Sequence, residues 1–192
     1  MKNIGKIFES QVKKSMPEYV LLCRLPDSAQ AFGGCSSLRF SRKPPFDYIA
    51  YDSKRRILYA IELKSVQGKS ISFERVKEQN GEIHYHQIAG LTDWGKFPWV
   101  VAGFLIEFRE IETTVFLTID AFNELVQKID KKSFQFSDLE EQKIPYLIVP
   151  QKKKVKWFTY DMESLFTNFE KILITENNDT TCSKKGDGSK HG

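Results

Sequence analysis

The chain has 192 residues, of which 41% are hydrophobic and 28% charged, and its net charge is +4. This is the composition of a soluble globular protein with one sizeable core, so two independent domains are not expected. No apolar run reaches the roughly 20 residues of a membrane helix, and the N-terminus does not read as a signal peptide, so we expect a cytoplasmic protein without membrane association. The cysteines are too sparse to predict a disulfide framework or a zinc site; they are Cys23, Cys35 and Cys182.

The first predicted element is a helix over residues 3–15. Its apolar stripe at helical spacing is formed by Ile4, Ile7, Phe8 and Val12. Glu9 lies at the edge of that stripe, where it is either a solvated flanking residue or an acid directed at a functional site. A strand is predicted next, over residues 19–25, and Pro26 ends it.

Residues 27–45 show no clear periodicity and are predicted to be irregular. Long irregular segments in compact proteins are commonly functional or mobile. This one contains a basic cluster around Phe40, and its cations are Arg39, Arg42 and Lys43. Such a cluster suits contact with a phosphate backbone, and a merely solvated loop is the alternative.

Two apolar runs, residues 44–51 and 57–65, are joined by a polar turn and predict a β-hairpin. Side chains alternate along a strand, so Glu62 and Lys64 point to the same face. Pairing of the two runs brings Asp47 close to both. Carboxylates on an otherwise apolar sheet are costly unless something compensates for them, and a divalent cation is the simplest compensation. The structural alternative is a surface pair of Glu62 and Lys64, with Asp47 capping a turn.

The triplet Gly68-Lys69-Ser70 invites comparison with a P-loop. That motif requires a glycine five residues before its Gly-Lys pair, and Leu63 occupies this position. We therefore expect no nucleotide cofactor.

Residues 74–94 are predicted to be partly helical, with an interruption near Gly81. His84 and His86 are two residues apart and would diverge on a helix, so a metal-binding pair is not expected. Gln87 falls on the apolar side, where an amide needs a hydrogen-bond partner.

The middle of the chain alternates strands and helices. Residues 98–106 form a continuous apolar run, typical of a central strand buried on both faces. Residues 113–119 predict another strand, and Asp120 is expected to cap a helix through Ile129. This order predicts an α/β fold with a mixed sheet and helices packed on it.

Near the C-terminus, residues 152–158 place four lysines beside two aromatic residues. This segment is either a nucleic-acid-binding edge or a charged edge strand that discourages aggregation. Asp161 is expected to begin a last helix. Residues 176–192 are polar and predicted to be disordered.

Asp47 followed by Glu62-Leu63-Lys64 resembles the signature of the PD-(D/E)XK nucleases. Further motifs occur in the order and approximate spacing of the RecU-type Holliday junction resolvases, and the chain is most similar to their phage or prophage branch. These motifs are Arg24-Leu25-Pro26-Asp27-Ser28, Arg39-Phe40, Pro45-Phe46-Asp47-Tyr48, Glu62-Leu63-Lys64-Ser65, Gly68-Lys69-Ser70-Ile71 with Phe73, and His86-Gln87-Ile88.

The resemblance implies a restriction-endonuclease-like α/β fold, with a mixed central β-sheet flanked by helices. It also implies a homodimer that binds four-way DNA junctions in recombination and repair, and cuts them with Mg²⁺ or Mn²⁺. Carried over by motif, the metal ligands would be Asp47 and Glu62. The other catalytic residues would be Lys64, Gln87 and Glu9. The cations that hold the DNA backbone would be Arg39, Arg42, Lys43 and Lys69.

The resemblance covers roughly residues 1–150, and we expect a single nuclease domain over residues 1–175. Residues 27–45 are shorter than the stalk of the chromosomal members, so the stalk would be reduced and junction selectivity is less firmly implied than hydrolysis. One alternative function is a PD-(D/E)XK nuclease that acts on other branched or duplex DNA. Another is a non-catalytic DNA-binding accessory protein of recombination.

Overall fold

A six-stranded mixed β-sheet with helices packed on it is the centre of the fold. The computed structural model describes residues 4–26, 43–155 and 157–169. In chain order the elements are α1 (Ile4–Lys14), β1 (Val20–Arg24), β2 (Tyr48–Asp52), β3 (Ile57–Val66), β4 (Ser70–Ser72), α2 (Tyr85–Gly95), β5 (Val100–Phe108), β6 (Thr113–Thr118), α3 (Ile119–Lys128), β7 (Ser133–Gln135), α4 (Phe136–Glu141), β8 (Leu147–Ile148), β9 (Gln151–Lys153) and β10 (Phe158–Tyr160). Residues 162–169 are helical as well and are called α5.

The strands of the central sheet lie in the order β1-β2-β3-β5-β6-β8. β3 and β5 are parallel, and the other neighbouring strands are antiparallel. The connection from β3 to β5 contains α2, as expected for a crossover between parallel strands. β5 is buried from Val101 to Phe108, as its continuous apolar sequence predicts for a central strand. The predicted α/β fold, with a mixed central sheet flanked by helices, is confirmed.

The core is divided between the two faces of this sheet. On one face, α2 and α3 pack against β3 and β5 through residues that include Leu91, Phe104 and Phe122. On the other face, α1 and α5 pack through Phe8 and Phe166. Residues of β3 alternate between the two cores, and Glu62 points to the α2 face together with Ala60.

α2 is shorter than the sequence predicts and begins at Tyr85. His84 is its N-cap and has an extended backbone, so the His84 and His86 rings stack, with centroids 5.5 Å apart, instead of diverging. The chain before the helix is held by a bridge between Phe73 and Ile83. Gly81 permits this close approach, because a Cβ there would lie 2.7 Å from the Phe73 carbonyl carbon.

The helix α3 is capped by Thr118 and not, as predicted, by Asp120. The Thr118 hydroxyl accepts a hydrogen bond from the Ala121 backbone N–H at 3.2 Å, and Asp120 lies inside the first turn. The prediction for the last helix is confirmed, because Asp161 accepts a hydrogen bond from the Ser164 backbone N–H at 3.0 Å.

β9 and β10 form a separate two-stranded ribbon. The greater part of the predicted irregular segment, residues 27–42, lies outside the described residues, as does the C-terminal tail predicted to be disordered. Within the described ranges, no helix is both long and apolar enough to cross a membrane.

Candidate active site

The hairpin of β2 and β3 places Asp47 and Glu62 side by side. Tyr48 pairs with Ile61, so Asp47, one residue earlier, lies opposite Glu62 at the end of the antiparallel register. The Asp47 carboxylate accepts a hydrogen bond from the Leu63 backbone N–H at 2.9 Å. This contact fixes the first acid against the strand that carries the second.

Lys64 completes a cluster on the same face of β3. Its ammonium nitrogen lies 3.0 Å from Oε1 of Glu62, and Glu62 itself is only 2% exposed. The structure therefore brings together Asp47, Glu62 and Lys64, the three residues that the hairpin argument singles out.

Gln87, in the first turn of α2, connects the helix to this cluster. Its amide nitrogen donates a hydrogen bond to Oε1 of Glu62. Its amide oxygen accepts one from the His84 backbone N–H at 2.9 Å. Both ends of the amide are thus satisfied, which explains how Gln87 is accommodated on the apolar side of the helix.

Two further contacts hold α2 in place against the hairpin. The buried Glu74 accepts a hydrogen bond from the Tyr85 backbone N–H at 2.8 Å and lies 3.0 Å from Nδ1 of His84. At the other contact Gly90 faces Pro45, and a Cβ on Gly90 would lie 2.3 Å from the Cβ of Pro45. A glycine at this position allows the helix to approach the segment that leads into Asp47.

Burial dominates the electrostatics of the two acids. Burial raises the pKa of Glu62 to about 7. Lys64 only partly opposes this rise, and the charge of the neighbouring Asp47 adds to it. Burial also raises the pKa of Asp47, against the lowering effects of the Leu63 N–H and of Lys64. The second oxygen of Glu62, Oε2, is buried and accepts no hydrogen bond from any described residue. The cluster therefore contains one ammonium for two carboxylates, and one buried carboxylate oxygen has no hydrogen-bond donor among the described residues.

The residues fit Mg²⁺ better than zinc. Among the described residues, no group of three or more histidine, cysteine, aspartate or glutamate side chains is arranged to hold a metal ion. Structural zinc takes four such ligands, whereas Mg²⁺ keeps several waters and is bound by one or two carboxylates together with substrate phosphates. Asp47 and Glu62 supply two carboxylates, and Oε2 of Glu62 is an acceptor that lacks a partner.

No family model matches the chain. Over 179 residues the chain is 30% identical to the SPbeta prophage-derived uncharacterized protein YotM of Bacillus subtilis (strain 168), and the match covers 85% of each protein. The chain belongs to the YotM family. Among solved structures, this YotM-family chain is similar to Hjc, a Holliday junction resolvase from the archaeal hyperthermophile Archaeoglobus fulgidus. The two are 12% identical with a TM-score of 0.43, over 71% of this chain and 91% of the other.

Glu9 of this YotM-family chain lies next to the cluster but does not join it. Its carboxylate accepts hydrogen bonds from the Tyr48 hydroxyl and from Nε of Arg24, each at 2.7 Å. Tyr48 belongs to the core on the α1 face, opposite Glu62. The charge of Glu9 still contributes to the raised pKa of Asp47. Its predicted catalytic role therefore stays a prediction.

The predicted DNA-binding cations are only partly described. Lys43 lies close enough to His86 to affect its titration. Burial lowers the pKa of His86, and the charges of His84, Lys43 and Lys64 lower it further. Lys69 is exposed in the turn after β3, 3.5 Å from Glu110. The other two cations, Arg39 and Arg42, lie outside the described residues.

Glu74 and His86 are neighbours of the site that the sequence did not predict in this role. Glu74 reaches the start of α2 because the chain reverses at the Phe73–Ile83 bridge. No periodic pattern in the sequence predicts this reversal. The sequence could have indicated His86, because it directly precedes Gln87, which is predicted to lie at the site.

Proposed function

We propose that this YotM-family chain is a Mg²⁺-dependent endodeoxyribonuclease of the PD-(D/E)XK type that resolves four-way DNA junctions, as RecU-type resolvases do. The observation that carries the proposal is the convergence of Asp47, Glu62 and Lys64 on one face of the sheet, with both acids buried enough to raise their pKa values. Perturbed acids beside a cation are typical of catalytic sites. The order and spacing of the flanking motifs support the choice of this nuclease family.

Asp47 and Glu62 are the residues that would hold the metal, and Mn²⁺ would substitute for Mg²⁺. When bound, such an ion supplies a nucleophilic water of lowered pKa and polarises the phosphate. The chain contributes the two carboxylates in fixed positions. Asp47 is held by the Leu63 N–H, and Glu62 is held through Oε1, so that Oε2 stays without a partner among the described residues.

Lys64 is proposed as the catalytic lysine. Its ammonium is kept 3.0 Å from Glu62 in a partly buried position, where a charge acts more strongly than in water. A fixed cation at this place stabilises the negative charge that develops on the phosphate during hydrolysis. Gln87 is proposed to hold the carboxylate of Glu62 in the orientation that the reaction needs.

DNA is proposed to lie across this end of the sheet. Two observations support this proposal: the charge of Lys43 contributes to the lowered pKa of His86, and Lys69 lies in the turn that follows β3. Together with Arg39 and Arg42 they would contact phosphates, which makes binding strongly dependent on salt. Symmetric cutting of a junction requires two sites related by a two-fold axis, so the active form is proposed to be a homodimer.

The test is cleavage of a synthetic four-way junction in the presence of Mg²⁺. The unaltered protein and the Lys96→Ala variant, which changes an exposed lysine at the far end of α2, should both cut it. Lys64→Ala and Asp47→Asn should reduce the rate by about 100-fold or more. Equal cleavage rates in all four proteins would contradict the assignment of Asp47 and Lys64 to the active site. Equal cleavage of a linear duplex would instead indicate a PD-(D/E)XK nuclease without junction selectivity.

A further inference from the structure

We propose that the hairpin of β9 and β10 is a DNA-binding ribbon that enters a groove of the duplex held at the candidate active site. Its lysines would contact phosphates, and Val155 at its tip would face the interior of the groove. This inference rests on the proposed function, because it takes DNA as the partner.

The hairpin is strongly basic. Residues 151–160 contain four lysines and no acidic residue, so they carry a charge of +4, equal to the net charge of the whole chain. The rest of the chain is therefore neutral overall. Lys152 and Lys154 are exposed and form no ion pair with any described residue, whereas Lys153 pairs with Glu112.

The two faces of the ribbon differ. Phe158 and Tyr160 are buried and attach one face to the core around α1 and α5. Lys152 pairs with Thr159 in the register and points away from that core. The chain reverses where the Lys154 N–H donates to the Trp157 carbonyl at 2.6 Å, and Val155 in this turn is 99% exposed. The ribbon thus ends in an exposed apolar side chain that directly follows the exposed Lys154.

The base of the ribbon is fixed to the strands that carry the site. The Tyr160 hydroxyl donates to one oxygen of the buried Glu107 at 2.8 Å, and the Ser65 hydroxyl donates to the other at 2.6 Å. Ser65 directly follows Lys64 in β3. On the other side, Thr114 donates to the side-chain oxygen of Gln151 at 2.5 Å. One carboxylate therefore links the ribbon to β3, on the face opposite Glu62 and Lys64.

The ribbon also leaves the fold at the same end of the sheet as the site. β3 and β5 are parallel, so their C-terminal ends lie at one edge, and Lys64 is two residues from the end of β3. The turn after β5 contains Glu112, the partner of Lys153. The ribbon is attached on the α1 face and the acids lie on the α2 face, so the proposed duplex would have to pass this end of the sheet to contact both.

These lysines do not cover the edge of the central sheet. On this side the central sheet ends at β8, and β9 pairs with β10 and not with the central sheet. A two-stranded ribbon fits the major groove of DNA, which is about 12 Å wide, and ribbons of this kind occur among DNA-binding motifs. Lys152 and Lys154, on β9 and directly after it, would then lie near the phosphates of one groove wall.

The test is the salt dependence of binding to a labelled four-way junction, measured by fluorescence anisotropy in a chelator so that no cleavage occurs. In the Lys152→Ala, Lys154→Ala double variant, the slope of log K against log salt should become shallower by about 2, because two phosphate contacts are lost. The control changes two lysines at the opposite end of the sheet, Lys54→Ala and Lys96→Ala, and should keep the slope. Val155→Ser should weaken binding without changing the slope, because an apolar contact releases no counterions.

An unchanged slope in the Lys152/Lys154 variant would overturn the proposal. Unchanged affinity in Val155→Ser would show that Val155 does not contact DNA in the groove. Lys152, Lys154 and Val155 are exposed, so thermal unfolding of their variants should match the unaltered protein. Absence of DNA binding by the unaltered protein would overturn the proposed function along with the ribbon. Binding without cleavage when Mg²⁺ is added would overturn the nuclease alone, since the slope is measured without metal.

Discussion

The amide of Gln87 donates a hydrogen bond to Oε1 of Glu62, joining the first turn of α2 to the strand that carries both the acid and Lys64. The same amide accepts from the His84 N–H and so belongs to the N-terminal cap of the helix. One side chain therefore contributes both to the N-terminal cap of the helix and to the orientation of a buried carboxylate.

Replacing Gln87 with Leu should impair both roles. Loss of the cap contact should lower the free energy of unfolding by about 1 kcal/mol. Loss of the contact with Glu62 should raise the Mg²⁺ concentration needed for half-maximal junction cleavage, because the carboxylate is no longer held in one orientation. Cleavage titrated with Mg²⁺ measures the second effect. An unchanged requirement for Mg²⁺ would show that Gln87 acts only as a cap.

Gly90→Ala should destabilise the fold even though alanine is the better helix former. The new Cβ would lie 2.3 Å from the Cβ of Pro45, and the backbone of Pro45 is also close, so α2 must move away from the segment before Asp47. We expect a loss of about 1–3 kcal/mol in the free energy of unfolding, measured with a denaturant. Gly68→Ala is the matched control, since no atom lies within 4 Å of a Cβ there. Equal stability of the two variants would contradict the close packing.

The pKa of Glu62 predicts a specific dependence of stability on pH. Burial raises that pKa from 4.5 to about 7, so the folded state without metal binds the proton more tightly than the unfolded state. Stability from this group is therefore full below about pH 4.5 and is lost as the pH rises towards 7, by about 3 kcal/mol in total. Glu62→Gln removes the titration and should be more stable than the unaltered protein at pH 8, with the difference vanishing near pH 4. Denaturant unfolding at a series of pH values tests this, and a difference that does not vary with pH would contradict it.

The capping of α3 offers a direct comparison of two neighbouring residues. Thr118→Ala removes the acceptor for the Ala121 N–H and should cost about 1 kcal/mol in the free energy of unfolding. Asp120→Ala removes only a favourable charge in the first turn and should cost about 0.3–1 kcal/mol. Thermal or denaturant unfolding of both variants decides between them. A larger loss of unfolding free energy for Asp120→Ala would indicate that Asp120 is the cap, as the sequence predicts.

The grouping of the site residues on the β2–β3 hairpin was predictable because it depends on strand periodicity. Alternation in β3 puts Glu62 and Lys64 on one face, and the short polar turn between the runs leaves a hairpin as the natural connection. The continuous apolar sequence of β5 likewise identifies a central strand. These features need only residue order, so a single sequence contains them.

Other features depend on contacts between distant segments. The start of α2 at Tyr85 is determined by Glu74, which reaches it only after the chain folds back at Gly81. The choice of Thr118 over Asp120 as a cap depends on where β6 ends, one residue earlier than predicted. Glu9 was compatible with two roles in sequence, and its partners Tyr48 and Arg24 come from two other strands. Periodicity within one segment contains no information about such partners.

The most direct test of the central claim is single-turnover cleavage of a labelled four-way junction by the unaltered protein and by Asp47→Asn and Glu62→Gln, with Mg²⁺ and with a chelator. Both variants keep side chains of similar size and remove one charge each from the proposed metal site. We predict cleavage by the unaltered protein with Mg²⁺, none with the chelator, and a loss of about 100-fold or more in each variant. Cleavage that persists in the chelator, or that survives both substitutions, would contradict a metal-dependent nuclease site at Asp47 and Glu62.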